Sequence, residues 1–177
     1  MLGRGKMSKK HIAPAPILDL NQVRPEILLS HDYDPYIVAT SGGFDPIHPG
    51  HLSCINDSAE IGDILVVIVN DDDFLKSKKG KPFMPLEHRC QIVSMIKGVD
   101  YVVPYHAPFG DTTVIGALEA IQPTAFTKGG DRKDKSSIPE WDICQELNIN
   151  LILGVGMEKR WSSSNYLQEW GKFWEKS

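Results

Sequence analysis

The residues best equipped for chemistry fall in one stretch, Ser41-Gly42-Gly43-Phe44-Asp45-Pro46-Ile47-His48-Pro49-Gly50-His51. His48 and His51 place two imidazoles three residues apart. Gly42 and Gly43 carry no Cβ, so backbone N–H groups there can come close to a ligand. Pro49 and Gly50 set the bend into a following helix. The start of that helix offers unpaired N–H groups and a positive dipole end, which suits a phosphate. A backbone cradle with two imidazole donors fits a polyphosphate whose bridging oxygen gains negative charge during reaction. Plainer roles stay open: the histidines could be a metal pair or helix caps. Phe44 reads as packing before chemistry, and Asp45 could merely support the turn.

Other charged clusters follow. Asn70-Asp71-Asp72-Asp73 could help hold a magnesium ion or a substrate hydroxyl, or be solvated turn chemistry. Lys76-Ser77-Lys78-Lys79-Gly80-Lys81 reads as a basic loop able to neutralise phosphates, or as a mobile exposed loop. Arg89, in Pro85-Leu86-Glu87-His88-Arg89, could orient a phosphate or the lysine loop, or pair with Glu87 or another carboxylate. In Lys128-Gly129-Gly130-Asp131 the glycines could admit a nucleotide close to the backbone. There Asp131 could accept from ribose hydroxyls or hold a metal, and Lys128 could pair with phosphate. Ser162, Ser163 and Ser164 precede an apolar turn and could meet phosphate at a helix start or serve only as caps.

These clusters need a frame, and the apolar pattern supplies one. Strands are predicted at residues 36–40, 63–69, 99–103, 124–127 and 150–153. The almost continuous run Ile64-Leu65-Val66-Val67-Ile68-Val69 reads as a central strand covered on both faces. Helices are predicted from Leu52 to about Ile61, from Pro85, after a cap at Asp111, over residues 139–147, and after the serine triplet. Strands alternating with helices imply a doubly wound α/β domain with a mostly parallel sheet of about five strands. Each cluster then falls at a strand end or a helix start, the edge where such sheets bind ligands. Residues 1–35 read as an N-terminal extension, disordered over the first ten and with enough apolar content later to pack on the core or on another subunit. Residues 36–177 read as the domain proper.

Composition narrows the classes. The net charge of −4 indicates no general nucleic-acid surface. No apolar run is long enough to span a membrane, and the basic start lacks the apolar region of a secretory signal. Cys54, Cys90 and Cys144 have no CxxC spacing and read as reduced thiols of a cytoplasmic protein.

His48-Pro49-Gly50-His51, after Gly-Gly-Phe-Asp, resembles the HxGH signature of the cytidylyltransferase-like nucleotidyltransferases. Lys128-Gly129-Gly130-Asp131 resembles the matching element of the bacterial heptose-phosphate adenylyltransferases in that superfamily. The resemblance spans roughly Tyr36 to Leu167. Three departures stand out: the hydroxyl triplet is all serine, Trp161 precedes it, and the early extension has no counterpart. The resemblance implies Mg2+-dependent nucleotidyl transfer from a nucleoside triphosphate, ATP favoured, to a sugar phosphate, with release of pyrophosphate. It implies His48, His51, Lys128 and a loop lysine as catalytic groups, the last being Lys79, just before Gly80, or Lys76. Gly42, Gly43, Phe44, Asp45, Arg89, Gly129, Asp131 and Ser162 to Ser164 would line the nucleotide, with no protein metal site. A CTP-dependent enzyme acting on glycerol phosphate, an FMN adenylyltransferase and a nucleotide-binding regulatory module remain alternatives. The partners implied are the two substrates and a second copy in a homodimer, with neither nucleic acid nor membrane.

Overall fold

The computed structural model describes residues 13–130, 134–158, 160 and 162–174. Five parallel strands run in the order β3-β2-β1-β4-β5: β1 (Ile37–Gly42), β2 (Ile64–Asn70), β3 (Tyr101–Tyr105), β4 (Ala125–Gly129) and β5 (Asn150–Val155). All seven residues of β2 are buried, as its unbroken apolar run requires of a strand covered on both faces. β1 pairs with β2 on one side and with β4 on the other. The direction of winding reverses there, which opens a crevice beyond the carboxyl ends of β1 and β4.

Side chains alternate between the faces of the sheet. Val38, Leu65, Val67, Val69 and Val102 pack with Ile55 of α2 (Pro49–Ala59) and Val93 of α4 (Leu86–Ser94). Ile37, Ala39, Val66, Ile68 and Phe126 pack on the other face. They meet Leu118 and Ile121 of α5 (Ile115–Ile121), Cys144 of α6 (Trp141–Glu146) and Val23 and Ile27 of α1 (Leu20–Ser30).

Two helices stand where the sequence suggested other structure. Residues 20–30 form α1, although Pro25 reads as punctuation. The Gln22 side chain reaches back to the Asp19 N–H, half of a capping box. Arg24 donates to the carbonyls of Ile121 and Gln122 at the end of α5, both at 2.8 Å. Ahead of α1, Leu18 and Pro16 exchange backbone hydrogen bonds with Val102 and cover the outer edge of β3. Packing on the core is thus one of the two outcomes expected for the later part of the extension. The first ten residues, expected to be disordered, lie outside the described residues, as do residues 11 and 12.

The second is α3 (Asp72–Lys79), where a turn and a basic loop were expected. Asp71 caps it by accepting the Phe74 N–H at 2.9 Å. Asp72 and Asp73 occupy its first turn and Lys76, Lys78 and Lys79 its last, so the charges complement the macrodipole. Gly80 closes it at φ 90°.

A smaller expectation also shifts. Asp111 accepts the Thr113 N–H at 2.7 Å, but the helix begins four residues later, so Asp111 shapes the turn before it. In α7 (Ser163–Trp174), Trp170 and Phe173 stack on each other and are more than half exposed. No helix among the described residues is long and apolar enough to cross a membrane.

Candidate functional site

A cleft of about 860 Å³ opens at the carboxyl ends of β1 and β4. Both histidines, the glycines of β1 and its loop, Lys79, Lys128, Gly129 and all three serines line it. Residues more than a hundred positions apart therefore share one space.

The histidine loop is built tightly. His48 is the N-cap of α2, and its Nδ1 accepts the Gly50 N–H at 3.2 Å. That bond fixes the His48 proton on Nε2. The ring stacks on His51 with centroids 3.8 Å apart. Phe44, in the left-handed region at φ 48°, presents its ring to His51 in an edge contact at 5.1 Å. Burial lowers the His51 pKa to about 3, helped by repulsion from His48 whenever that ring takes up a second proton and by the positive charge of Lys78 and Lys79. The ring is neutral at pH 7, and its buried Nδ1 has no hydrogen-bond partner among the described residues.

The first N–H groups of α2 are not open to a ligand as expected. Pro49 has none, Gly50 donates to His48 Nδ1 and His51 donates to the His48 carbonyl at 2.9 Å. The cap reading of His48 is therefore correct for its Nδ1, and what this wall presents to the cleft is the imidazole pair. Gly42 and Gly43 likewise make room for protein. A Cβ on Gly42 would stand 3.0 Å from the Phe44 ring, and one on Gly43 2.7 Å from Leu75.

Asp45 is 1% exposed, and its carboxylate accepts the N–H groups of Phe83 and Met84 at 2.7 and 2.8 Å. It also pairs with Lys79 at 2.7 Å, while the Lys79 ammonium donates to the Asp45 carbonyl. Asp45 thus ties the loop after α3 to the histidine loop and leaves Lys79 at the rim of the cleft.

Arg89 is fully buried. It donates to the carbonyls of Gly43, Asn70 and Met84 and pairs with Asp72 at 2.6 Å, joining the ends of β1 and β2 to α3. Its carboxylate partner is Asp72, not Glu87, and it does not line the cleft.

Lys76 pairs with Asp73 on the exposed face of α3 and does not reach the cleft, whereas its neighbour Lys78 does. The Lys128 ammonium lies 3.3 Å from Ser41 Oγ and 3.3 Å from Glu140. Ser162 and Asn165 cap one another at the start of α7. Ser163 Oγ donates to the Pro46 carbonyl at 2.8 Å, which fastens α7 to the histidine loop. Ser164 lines the cleft from an exposed position. Asp131 and Trp161 lie outside the described residues.

Reading by motif missed Glu140, which also lines the cleft, as does Asn70, which opens the acidic run at the end of β2. Nothing in the sequence marked Glu140 beyond a place near a helix start. Burial raises the thiol pKa values, those of Cys90 and Cys144 to about 11, so neither of these is an activated nucleophile. No group of three or more His, Cys, Asp or Glu among the described residues could hold a metal. Of the acidic run, Asp71 caps α3 and lies 3.3 Å from His106, Asp72 meets Arg89 and Asp73 meets Lys76.

A family model for cytidylyltransferase-like proteins matches residues 39–157. A bifunctional protein HldE from Helicobacter hepaticus is 41% identical over 120 residues, 67% of this chain and 24% of the relative. The HldE protein of Methylococcus capsulatus is 38% identical over 112 residues, 62% of this chain and 23% of the relative. The chain thus spans about a quarter of the length of these curated relatives. Among solved structures, a lipopolysaccharide core biosynthesis protein from Thermoplasma volcanium superposes with a TM-score of 0.59 at 24% identity. That match covers 71% of this chain and all of the other. A pantoate–β-alanine ligase from Francisella tularensis superposes with a TM-score of 0.58 at 16% identity, covering 91% of this chain and 78% of the other. Both show the same fold.

Proposed function

The chain belongs to the cytidylyltransferase-like family, and from that premise we propose that it transfers the nucleoside monophosphate of ATP to a sugar phosphate and releases pyrophosphate. Supporting this most directly is the stacked imidazole pair, with a neutral His51 whose buried Nδ1 has no hydrogen-bond partner among the described residues, facing the same cleft as the start of α7. An oxygen of the acceptor phosphate attacks the α-phosphorus, and the bond to the bridging oxygen breaks. The acceptor is already a nucleophile, so no side chain need form a covalent intermediate. Catalysis comes from in-line placement and from donors aimed at the oxygens that gain charge.

In this reading, His48 Nε2–H and the His51 ring steady the α-phosphate and bridging oxygens. Lys79 leaves Asp45 to meet the departing phosphates, and Ser163 and Ser164 hold their far end. Lys128 stands by the acceptor phosphate, and Gly129 and Asp131 flank the nucleotide. Phe44, Asp45 and Arg89 act by holding the histidine loop in shape. Lys76, turned outward, has no part. Since the described residues offer no donor cluster for a cation, Mg2+ would enter as the counter-ion of the triphosphate and lessen its charge.

Residues 36–177 carry these groups. Residues 1–35 are proposed as an N-terminal extension, of which Pro16 to Leu18 cover the β3 edge. A homodimer is proposed as well, formed through the aromatic face of α7, where Trp170 and Phe173 are 61% and 60% exposed. Sedimentation of the wild type and of Trp170→Ser tests it, with a monomeric wild type as the contrary result.

The reaction is tested by pyrophosphate release with four nucleoside triphosphates against sugar phosphates, glycerol phosphate and FMN. ATP with a sugar phosphate is expected to give the highest kcat/KM. Preference for CTP with glycerol phosphate, or for FMN, would move the assignment to another branch. ATP binding without turnover on any acceptor would leave a regulatory module.

A further inference from the structure

The pleat of the sheet gives the cleft two walls. Ala39, Ile68 and Phe126 face α5 and α6 in the core. Two residues further along each strand the same face carries Ser41, Asn70 and Lys128. The histidine loop and α2 lie against the opposite face.

Glu140, at the start of α6, closes the first wall. It is 3% exposed. Its Oε1 accepts from the Val114 N–H and from Lys128, each at 3.3 Å. Its Oε2 stands 3.3 Å from the same ammonium but makes no hydrogen bond to any described residue. Asn70 is 7% exposed, and its Oδ1 is likewise buried without a partner. Both residues line the cleft, as do Thr112 and Val114.

Lys128 balances the charge of Glu140, but buried acceptors without a hydrogen bond are destabilising and uncommon, so two such oxygens on one wall of a cleft call for a ligand that brings donors. A triphosphate cannot be that ligand, because its oxygens only accept and Glu140 would repel them. Hydroxyl groups can donate to both.

We propose that Glu140 and Asn70 form the acceptor subsite, where they take hydrogen bonds from the hydroxyls of a polyhydroxylated phosphate whose phosphate turns towards Lys128 and the histidine wall. The inference rests on the nucleotidyl-transfer reading and deepens it: the acceptor is recognised by its carbon-chain hydroxyls as well as its phosphate. A short alcohol phosphate, with fewer donors, leaves at least one of the two acceptors unpaired.

The test compares wild type, Glu140→Gln and Asn70→Ala, each checked by circular dichroism and thermal midpoint. Pyrophosphate release is measured with ATP against hexose and heptose phosphates and glycerol phosphate. Each variant should raise KM for the preferred sugar phosphate about tenfold or more, the size expected when one hydrogen bond to a buried charged or amide group is lost. KM for ATP should stay within about twofold, and the preference over glycerol phosphate should shrink. Unchanged sugar-phosphate KM, or an ATP KM that rises equally, overturns the proposal; the latter would give these residues to the nucleotide ribose.

If no turnover occurs, calorimetric titration of the same phosphates decides. Binding to wild type that both folded variants lose supports the subsite, and no binding to wild type or equal binding to all three overturns it. Should Glu140→Gln not fold, Asn70→Ala and Asn70→Asp carry the test. Absence of ATP binding, measured separately, marks failure of the nucleotidyl-transfer reading itself.

Discussion

Two corners of the cleft rim treat their polar atoms in opposite ways. Around Arg89 the charged groups are used up within the protein: three carbonyls and Asp72 take the guanidinium, and two N–H groups and Lys79 take Asp45. Around His51 the rings are packed on one another and on Phe44, yet its buried Nδ1 finds no hydrogen-bond partner among the described residues. The difference separates scaffold from chemistry. A fully paired buried ion holds backbone in place, while a rigid polar atom left open is waiting for something from outside.

The largest effect that would sharpen this contrast lies on the closed side. Arg89→Met strands carbonyls at the ends of both central strands, and stability should fall by about 3–5 kcal/mol, read as the midpoint of denaturant unfolding. Next is His51→Ala on the open side. Turnover should fall by about 100-fold or more with the midpoint almost unmoved, as for loss of a donor that acts in the transition state. Equal stability losses in the two variants would erase the distinction.

A pH titration follows in size. Unfolded, His51 takes up a proton near pH 6.5; folded, it resists until about 3. Its contribution is therefore fully present above 6.5 and is lost progressively as pH falls towards 3. Thermal melts of wild type and His51→Asn should diverge on acidification. The wild type should lose on the order of 1–2 kcal/mol more near pH 4.5, less than the full shift implies because the ring is only partly shielded. Parallel curves would mean that the ring is not held neutral by the fold.

The smallest effect concerns lysines on one helix. Lys79→Ala should raise KM for ATP about tenfold, the size expected for one charge-assisted contact. Lys76→Ala, on the outer face, should stay within about twofold. Reversed values would place the triphosphate on the other side of α3.

Much of this frame was legible in the residues. Ile64 to Val69 could only be a doubly covered strand, and the order of strands and helices put every cluster on one edge. The histidine pair announced itself by spacing. What escaped reading depended on distant partners. Arg89 looked like a phosphate ligand because nothing local shows that its donors end on Gly43, Asn70 and Met84. Glu140 carries no pattern, and Asn70 stood out only with the acids that follow it; the side-chain oxygen that each leaves without a hydrogen bond among the described residues appears only when the wall is assembled. α3 was hidden for another reason. Its acids and lysines were read as turn and loop chemistry, although acids first and lysines last is also the order that a helix dipole favours. α1 was hidden by Pro25, whose lost hydrogen bond is offset by burial of Val23 and Ile27.

The most direct measurement is a crystal structure with a non-hydrolysable ATP analogue. The expected result has the phosphates within hydrogen-bond distance of His48, His51 and the hydroxyls of Ser163 or Ser164, with Lys79 drawn away from Asp45. A nucleotide bound with its phosphates clear of both imidazoles, or outside this cleft, would contradict it.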